Sequence, residues 1–341
     1  MLHAMDVGGN ASSIHAEGRA AHKIVDDARE ILARALGCLP QMIVFTGSGS
    51  EANNMALRAV EAEQILVSSI EHPSVMAAAK ASGTPVHLIP VTRDGVVDLA
   101  ALDKLLSGPN VLVSVMLANN ETGIIQPISE IVRIAKAKGA LVHVDAVQGF
   151  GKVPVNFGLL GCDMMTVAAH KVGGPVGIGA LVVRDGLAIG PLIVGGGQEL
   201  RRRAGTENLA AIAGFAAIAT ESRLATAALR QQLESSLDGA LIVGAGIERL
   251  PNTTCFAIPG MKAETLVMNF DLEGIAVSSG SACSSGKVSR SHVLDAMGLA
   301  PEISSAAIRL SLGWNSTEAD VQHFTTVWKK LLVRHAARKA A

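Results

Sequence analysis

Leu141-Val142-His143-Val144-Asp145 is a short apolar run, rich in β-branched residues, that ends on a carboxylate. Similar runs recur before and after it, separated by stretches with a helical hydrophobic repeat. The predicted strands are 42–46, 65–69, 86–90, 111–117, 141–145, 164–168 and 178–183, and the predicted helices between them are 20–36, 50–61, 99–106 and 128–138. This alternation predicts an α/β fold, a mostly parallel sheet with helices on both faces. Ligands bind such sheets at the carboxyl ends of the strands, so the residues after each strand are the candidate site.

The pattern changes after Asn208, where an Ala-rich helical region runs to about residue 237. A smaller set of strands and helices follows and ends in a predicted helix at 318–338. A length of 341 residues suits about two domains. We predict a large domain over 10–222 and a small α+β domain over 223–341, which residues 1–9 join.

Composition argues against several classes of function. A formal net charge of −1 and an aromatic content of 3% give no basis for binding nucleic acid or an anionic membrane surface. The sequence has no apolar run of about 18 residues, so we expect no membrane span. Its four cysteines lack CxxC spacing, which argues against a disulfide framework and a zinc site. We therefore expect no metal and a cytoplasmic location.

A glycine-rich segment, Thr46-Gly47-Ser48-Gly49-Ser50, follows the first predicted strand and opens a helix. Its backbone amides and hydroxyl groups suit an anion such as a phosphate, because a helix N-terminus favours negative charge. The segment also fits a dinucleotide fingerprint, with Glu71 where a ribose-binding acid would lie. A nicotinamide-dependent oxidoreductase and a simple capped helix are therefore alternatives at this point.

Two charged residues lie at or just after the carboxyl ends of consecutive predicted strands. Asp145 ends the strand 141–145, and Lys171 follows the strand 164–168. A carboxylate there can pair with a protonated pyridine nitrogen, and a lysine buried there would have a lowered pKa and act as an amine nucleophile. Each alone has an ordinary explanation, as a turn cap or a surface charge. Together they favour a pyridine-type cofactor bound to the lysine.

Two more residues are unusual for their surroundings. Cys283 lies in the Gly- and Ser-rich segment 278–286, whereas a core cysteine normally has apolar neighbours, so we expect an accessible and reactive thiol. Arg309 is a lone cation in a predicted strand, 307–312. It needs an anionic partner, and a substrate carboxylate or a structural acid would serve equally well.

Taken together, these segments resemble the cysteine desulfurase family, of the nitrogen-fixation and iron–sulfur-cluster type and its long catalytic-loop branch. The resemblance runs from about Asn10 to Trp314. Its seven motifs are Glu71-His72, Asn119-Asn120-Glu121-Thr122-Gly123, Asp145-Ala146-Val147-Gln148, His170-Lys171, Gly205-Thr206-Glu207-Asn208, 278–283 and 308–313. One such motif is weak evidence, but seven in order are strong.

The resemblance implies a fold-type I transferase that depends on pyridoxal 5'-phosphate. In such a protein Lys171 would hold the cofactor covalently, Asp145 would pair with its pyridine nitrogen, and Gln148 with its ring hydroxyl. His72 would stack on the ring as a catalytic residue.

The resemblance also implies a phosphate site. The group would be held by Gly49, Ser50 and His170. Thr206 would reach it from the neighbouring subunit of a homodimer.

The same resemblance implies a substrate and a product. Asn120, beside the cofactor, and Arg309 would hold the carboxylate of L-cysteine. Cys283 would attack the substrate sulfur, keep it as a persulfide and release alanine. The sulfur would then pass to an acceptor protein such as an iron–sulfur cluster scaffold.

The chain departs from the family at three places. Residues 1–9 have no equivalent of the family's N-terminal Asn-Ala-Thr-Thr turn, and we expect a substrate-side contact to be lost there. Ala168 replaces a common phosphate-binding serine, which we expect to weaken cofactor binding by about 1 kcal/mol, and Leu200 replaces a common arginine. A selenocysteine lyase, an aminotransferase or an impaired cofactor-binding relative of the same fold is the alternative.

Overall fold

The main sheet has seven strands in a computed structural model that describes residues 1–220, 226–280 and 290–340. The strands are β1 (Ile43–Thr46), β2 (Gln64–Ser68), β3 (Val86–Ile89), β4 (Val111–Met116), β5 (Leu141–Asp145), β6 (Met164–Ala168) and β7 (Gly179–Val183). Their order is β1-β7-β6-β5-β4-β2-β3, and only β7 runs antiparallel to its neighbours. The predicted mostly parallel sheet is confirmed, and each strand end lies within one residue of the prediction.

Two helices precede β1, and six more follow strands of this sheet. They are α1 (Leu2–Asp6), α2 (Ala16–Leu36), α3 (Gly49–Arg58), α4 (Pro73–Ala81), α5 (Leu99–Leu105), α6 (Ile128–Ala137), α7 (Phe157–Leu160) and α8 (Leu209–Ala219). Helix α2 buries Val25 and Leu32, two turns apart on one face, and ends at Gly37, whose φ of 65° suits a residue without Cβ. Buried apolar residues of α3, α4 and the sheet, such as Met55 and Val75, form one core.

The second sheet is antiparallel, in the order β10-β11-β9-β8. Its strands are β8 (Leu241–Ile242), β9 (Thr253–Ala257), β10 (Ser278–Ser279) and β11 (Ala307–Ser311), and the helices around it are α9 (Ala227–Ser235), α10 (Ala263–Leu272), α11 (His292–Ala296), α12 (Pro301–Ser304) and α13 (Glu318–Ala340). Phe256, Phe270, Phe324 and Trp328 meet in its core, with the Phe256 and Trp328 ring centroids 5.4 Å apart and edge to face. Such pairs add stability beyond the area that they bury.

The chain divides into two compact units. Unit 1 comprises Met1–Ile89, Asp98–Leu117 and Gln126–Ser222, and unit 2 comprises Pro90–Val97, Ala118–Ile125 and Arg223–Ala341. Residues 1–9 therefore group with unit 1, and not with the smaller domain as predicted, because α1 packs against α8. Conversely, residues 118–125 join unit 2 because the Gly123 carbonyl accepts a hydrogen bond from Leu250 N at 2.8 Å. Of the helices in the described ranges, none is long and apolar enough to cross a membrane.

A buried histidine links the three central strands of unit 1. His143 on β5 has Nδ1 2.9 Å from Ser114 Oγ on β4 and Nε2 2.9 Å from Thr166 Oγ1 on β6. Burial lowers the pKa of His143 from 6.5 to about 3. Between these two values the unfolded chain binds a proton that the folded chain excludes, so stability falls as the pH falls below about 6.5.

We expect His143 alone to lower the free energy of unfolding by about 1 kcal/mol between pH 6.5 and pH 5.5. In His143→Gln the amide can still reach the hydroxyl groups but does not titrate, so this variant should lose correspondingly less stability. Urea unfolding at both pH values measures the difference, and the exposed His87→Gln is the control. An equal loss in wild type and His143→Gln would contradict the prediction.

Candidate active site

The loop between β1 and α3 forms an anion cradle in unit 1. Ser48 caps the helix, with its Oγ accepting a hydrogen bond from Glu51 N at 3.1 Å. Gly49 and Ser50 follow, and the first amides of a helix have no carbonyl partner within it. A Cβ at Gly49 would lie only 3.0 Å from Val147 Cγ2, so glycine lets the loop approach the end of β5 closely. These amides and the exposed Ser50 hydroxyl suit a phosphate group.

Asp145 occupies the carboxyl end of β5, as predicted, and is buried. Its Oδ2 accepts a hydrogen bond from Asn53 Nδ2 at 2.8 Å, and its Oδ1 accepts one from Val147 N at 3.0 Å. Burial raises the pKa of Asp145, while these two hydrogen bonds and the charges of His72 and Lys171 oppose the rise. The result is an oriented carboxyl group in a low-dielectric site, where a cation would bind strongly.

His170 and Lys171 lie in a 3₁₀ turn, Ala169–Val172, directly after β6. Both residues are exposed, whereas the sequence suggested a buried lysine, because the turn begins beyond the end of the strand. Partial burial of the exposed His170 ring, followed by the charge of Lys171, lowers the pKa of His170. Since the Lys171 charge also acts on Asp145, the structure brings this lysine and the carboxylate into one electrostatic site.

His72 is held in place by a chain of polar side chains that the sequence analysis missed. Its Nδ1 accepts a hydrogen bond from Ser74 N at 3.1 Å and lies 2.8 Å from Ser74 Oγ. Asn53 Nδ2 donates to the same Ser74 Oγ at 3.0 Å and also to Asp145. The available signal was a polar Asn53 on the buried face of α3, beside Ala52 and Ala56.

We expect Asn53→Ala to weaken binding of pyridoxal phosphate, the cofactor that the sequence predicts at Asp145, by up to about tenfold, because one hydrogen bond to a charged group contributes about 1.5 kcal/mol. Absorbance titration of the cofactor-free protein with pyridoxal phosphate measures this. Asn269→Ala, which removes a bond to the Thr265 carbonyl within α10, is the matched control. Equal affinity in the two variants would show that Asn53 does not support Asp145.

Glu71 has a different role from the ribose-binding acid of a dinucleotide site. Its side chain is fully buried, and its Oε1 accepts a hydrogen bond from Met116 N at 2.6 Å. Burial, followed by the charge of Asp145, raises the pKa of Glu71 well above its usual value. A carboxyl group enclosed in this way is not available to a ribose, which removes the main support for a nicotinamide-dependent enzyme.

Two further predicted site residues of unit 1, Gln148 and Thr206, have few described contacts. Gln148 is half-buried, and its Oε1 accepts a hydrogen bond from Lys152 Nζ at 3.0 Å. Thr206 is exposed. Contact of Gln148 with a ring hydroxyl and of Thr206 with a neighbouring subunit's phosphate stay predictions.

In unit 2, Arg309 contacts Asn120, and their binding of a substrate carboxylate stays a prediction. Arg309 Nη1 donates to the Asn120 carbonyl at 2.9 Å, and Nη2 donates to Ser278 Oγ at 3.1 Å. Burial raises the pKa of the nearby Glu121 to about 7, an effect that the Ser291 hydrogen bond and the Arg309 charge oppose. Arg309 is thus a half-buried cation oriented by the main-chain carbonyl of Asn120 and the Ser278 hydroxyl, and such a cation suits a carboxylate.

Cys283 lies outside the described residues. The other three cysteines are Cys38, Cys162 and Cys255, and burial raises the pKa of each thiol to about 12. Such thiols are protonated at neutral pH and are weak nucleophiles. The described cysteines are therefore unsuited to sulfur transfer, which leaves Cys283 as the candidate.

The fold and these sites match a known family. Residues 3–324 match the class-V aminotransferase family. The chain is 38% identical to a "Cysteine desulfurase IscS" of Dictyoglomus turgidum, over 95% of this chain and 87% of the relative, and 40% identical to a "Cysteine desulfurase" of Nostoc sp., over 98% and 88%.

Solved structures agree. A NifS-like protein from Rickettsia africae is similar with a TM-score of 0.90 and 37% identity, over 97% of this chain and 94% of that one. The structure of SspA in complex with cysteine is similar with a TM-score of 0.81 and 30% identity, over 93% and 95%. The chain belongs to the cysteine desulfurase family, within the class-V aminotransferases.

Proposed function

We propose that this protein is a cysteine desulfurase that uses pyridoxal 5'-phosphate to remove sulfur from L-cysteine and release L-alanine. The observation that carries the proposal is the arrangement in unit 1, where the buried Asp145 and the charged Lys171 share one site at the ends of β5 and β6. The relatives named above support the same reaction.

The residues present fit this cofactor. The cradle formed by Gly49 and Ser50 suits its phosphate, and in the proposal His170 and the Thr206 of a second subunit complete the phosphate site. The hydrogen-bonded Asp145 suits the protonated ring nitrogen, and Gln148 and His72 suit the ring hydroxyl and the ring face. When bound, the cofactor supplies an electron sink for charge that develops on the substrate.

The side chains of the protein have separate proposed roles in substrate binding, proton transfer and sulfur transfer. Arg309 and Asn120 bind the substrate carboxylate, and the Lys171 amine moves a proton at the substrate α-carbon. The Cys283 thiolate attacks the substrate sulfur as the carbon–sulfur bond breaks. Cysteine and the Cys283 thiol thus become alanine and a Cys283 persulfide, with no external oxidant or reductant.

The persulfide has to be passed on. We propose that the enzyme works as a homodimer in the cytoplasm and transfers the terminal sulfur to a thiol of an acceptor protein, such as an iron–sulfur cluster scaffold. A persulfide is a good donor to a thiolate, because transfer releases the Cys283 thiolate again.

A visible spectrum of the purified protein, recorded before and after addition of L-cysteine, tests the reaction when alanine is quantified in the same sample. We expect a yellow protein whose spectrum changes and which forms alanine. An unchanged spectrum without alanine would refute the proposal. An oxoacid product in place of alanine would favour an aminotransferase, and turnover of selenocysteine alone a selenocysteine lyase.

A further inference from the structure

Three consecutive residues have positive φ angles, a backbone conformation that L-amino acids disfavour. The φ angles of Glu199, Leu200 and Arg201 are 48°, 56° and 64°. Single residues visit this left-handed region, but runs do not, because each Cβ approaches a carbonyl oxygen too closely. Leu200 is 59% exposed, so packing of its own side chain does not hold the turn. Strain of this kind persists only where the surroundings impose it, and it concentrates at functional sites.

One end of the strained turn is anchored by a buried ion pair. Glu199 Oε1 accepts a hydrogen bond from Arg29 Nη2 at 2.9 Å, and Oε2 accepts bonds from Arg29 Nη1 at 2.9 Å and from Phe45 N at 2.8 Å. The Arg29 guanidinium also lies over the Phe45 ring, 4.9 Å from its centroid. Since Phe45 belongs to β1, Glu199 is fixed to the strand that leads into the anion cradle.

The other end of the turn reaches the cradle itself. Arg203 Nε donates to Glu51 Oε1 at 2.9 Å, and Gly47 N donates to Glu51 Oε2 at 2.7 Å. A Cβ at Gly47 would lie 2.9 Å from Glu51 Oε2, so the carboxylate sits tightly against the loop. An uncompensated negative charge in this position would repel a phosphate, and the Arg203 guanidinium compensates it.

We propose that residues 199–203 form a strained clamp, anchored by the Arg29–Glu199 ion pair, that places Arg203 on Glu51 and so allows the Gly47–Ser50 loop to accept a phosphate monoester. The inference rests on the proposed function, in which that group is the phosphate of pyridoxal phosphate. Arg203 and Glu199 are positioning residues, because they act through Glu51 and the loop.

The far end of the clamp is tested with Arg203→Met, a change at a partly exposed side chain. Cofactor-free wild type and variant are titrated with pyridoxal phosphate and with pyridoxal, which lacks the phosphate. We expect pyridoxal phosphate to bind about tenfold more weakly to the variant and pyridoxal to bind equally, since a general folding defect would weaken both. Adding Glu51→Gln should restore most of the affinity, because it removes the charge that Arg203 compensates.

The strain is tested with Glu199→Gln, alone and combined with Leu200→Gly. Glutamine cannot form the charged bidentate pair, so we expect weaker binding of pyridoxal phosphate, and glycine at position 200 should recover much of the loss because it adopts positive φ freely. Leu39→Gly is the control, since Leu39 is 49% exposed and has an ordinary φ of −85°. If Glu199→Gln does not fold, the Arg203→Met titrations decide.

The outcomes separate the clamp from the proposed function. Wild type that binds no pyridoxal phosphate would refute both. Wild type that binds it, with Arg203→Met binding it equally well, would overturn the clamp and leave the function standing. Equal weakening for pyridoxal phosphate and pyridoxal would also overturn the clamp.

Discussion

Lys171→Ala is expected to yield a protein that loses its yellow colour on dialysis and turns over cysteine about 10²- to 10⁴-fold more slowly, the usual contribution of a positioned general base. The reason is that one amine serves two purposes in the proposal, the covalent attachment of the cofactor and proton transfer at the α-carbon. Visible absorbance after dialysis reports the first, and alanine formation with saturating pyridoxal phosphate reports the second.

The control for this prediction is Lys80→Ala, which removes an exposed lysine of α4 in the same unit. It should keep both colour and turnover. Turnover in Lys171→Ala within about tenfold of wild type would exclude Lys171 as the base. Retained colour without turnover would support Lys171 as the base at the α-carbon and would contradict its role in attaching the cofactor.

The sheet was predictable because every strand of unit 1 is a short, β-branched run bounded by turn residues. Asp145 and the Gly47–Ser50 loop followed directly, since strand ends and helix starts can be located by period and by small residues. The division of the chain into two units was harder to predict from the sequence. Residues 118–125 belong to unit 2 through backbone hydrogen bonds, and sequence periodicity carries no signal for those.

The supporting residues of the site were hidden for different reasons. Asn53 orients Asp145 across 92 positions of sequence, a pairing that no local pattern reveals. The sequence identified Glu71 as a candidate site residue, but whether its side chain faces a ligand or the interior depends on tertiary packing. The turn at Glu199 contains no glycine where the left-handed angles occur, so turn chemistry predicted nothing unusual.

Cys283→Ala should leave the yellow colour and the response of the spectrum to cysteine intact, while alanine formation falls by more than about 10³-fold, as when a catalytic nucleophile is removed. The separation is expected because in the proposal Lys171 and Asp145 bind the cofactor without help from a thiol, whereas the other three cysteine thiols are protonated at neutral pH and are weak nucleophiles. Mass spectrometry after alkylation, without reductant, should find one added sulfur on Cys283 in wild type and none in the variant.

Cys38→Ala is the matched control, because Cys38 is only partly buried and its raised pKa keeps the thiol protonated. It should form alanine at the wild-type rate. If Cys283→Ala kept that rate too, the carbon–sulfur bond would be breaking without nucleophilic attack by this thiol. The substrate sulfur would then pass directly to an external thiol, and alanine formation would need no persulfide on Cys283. Loss of turnover together with loss of colour would instead indicate misfolding, and Cys283→Ser would then decide, since a hydroxyl preserves size but accepts no sulfur.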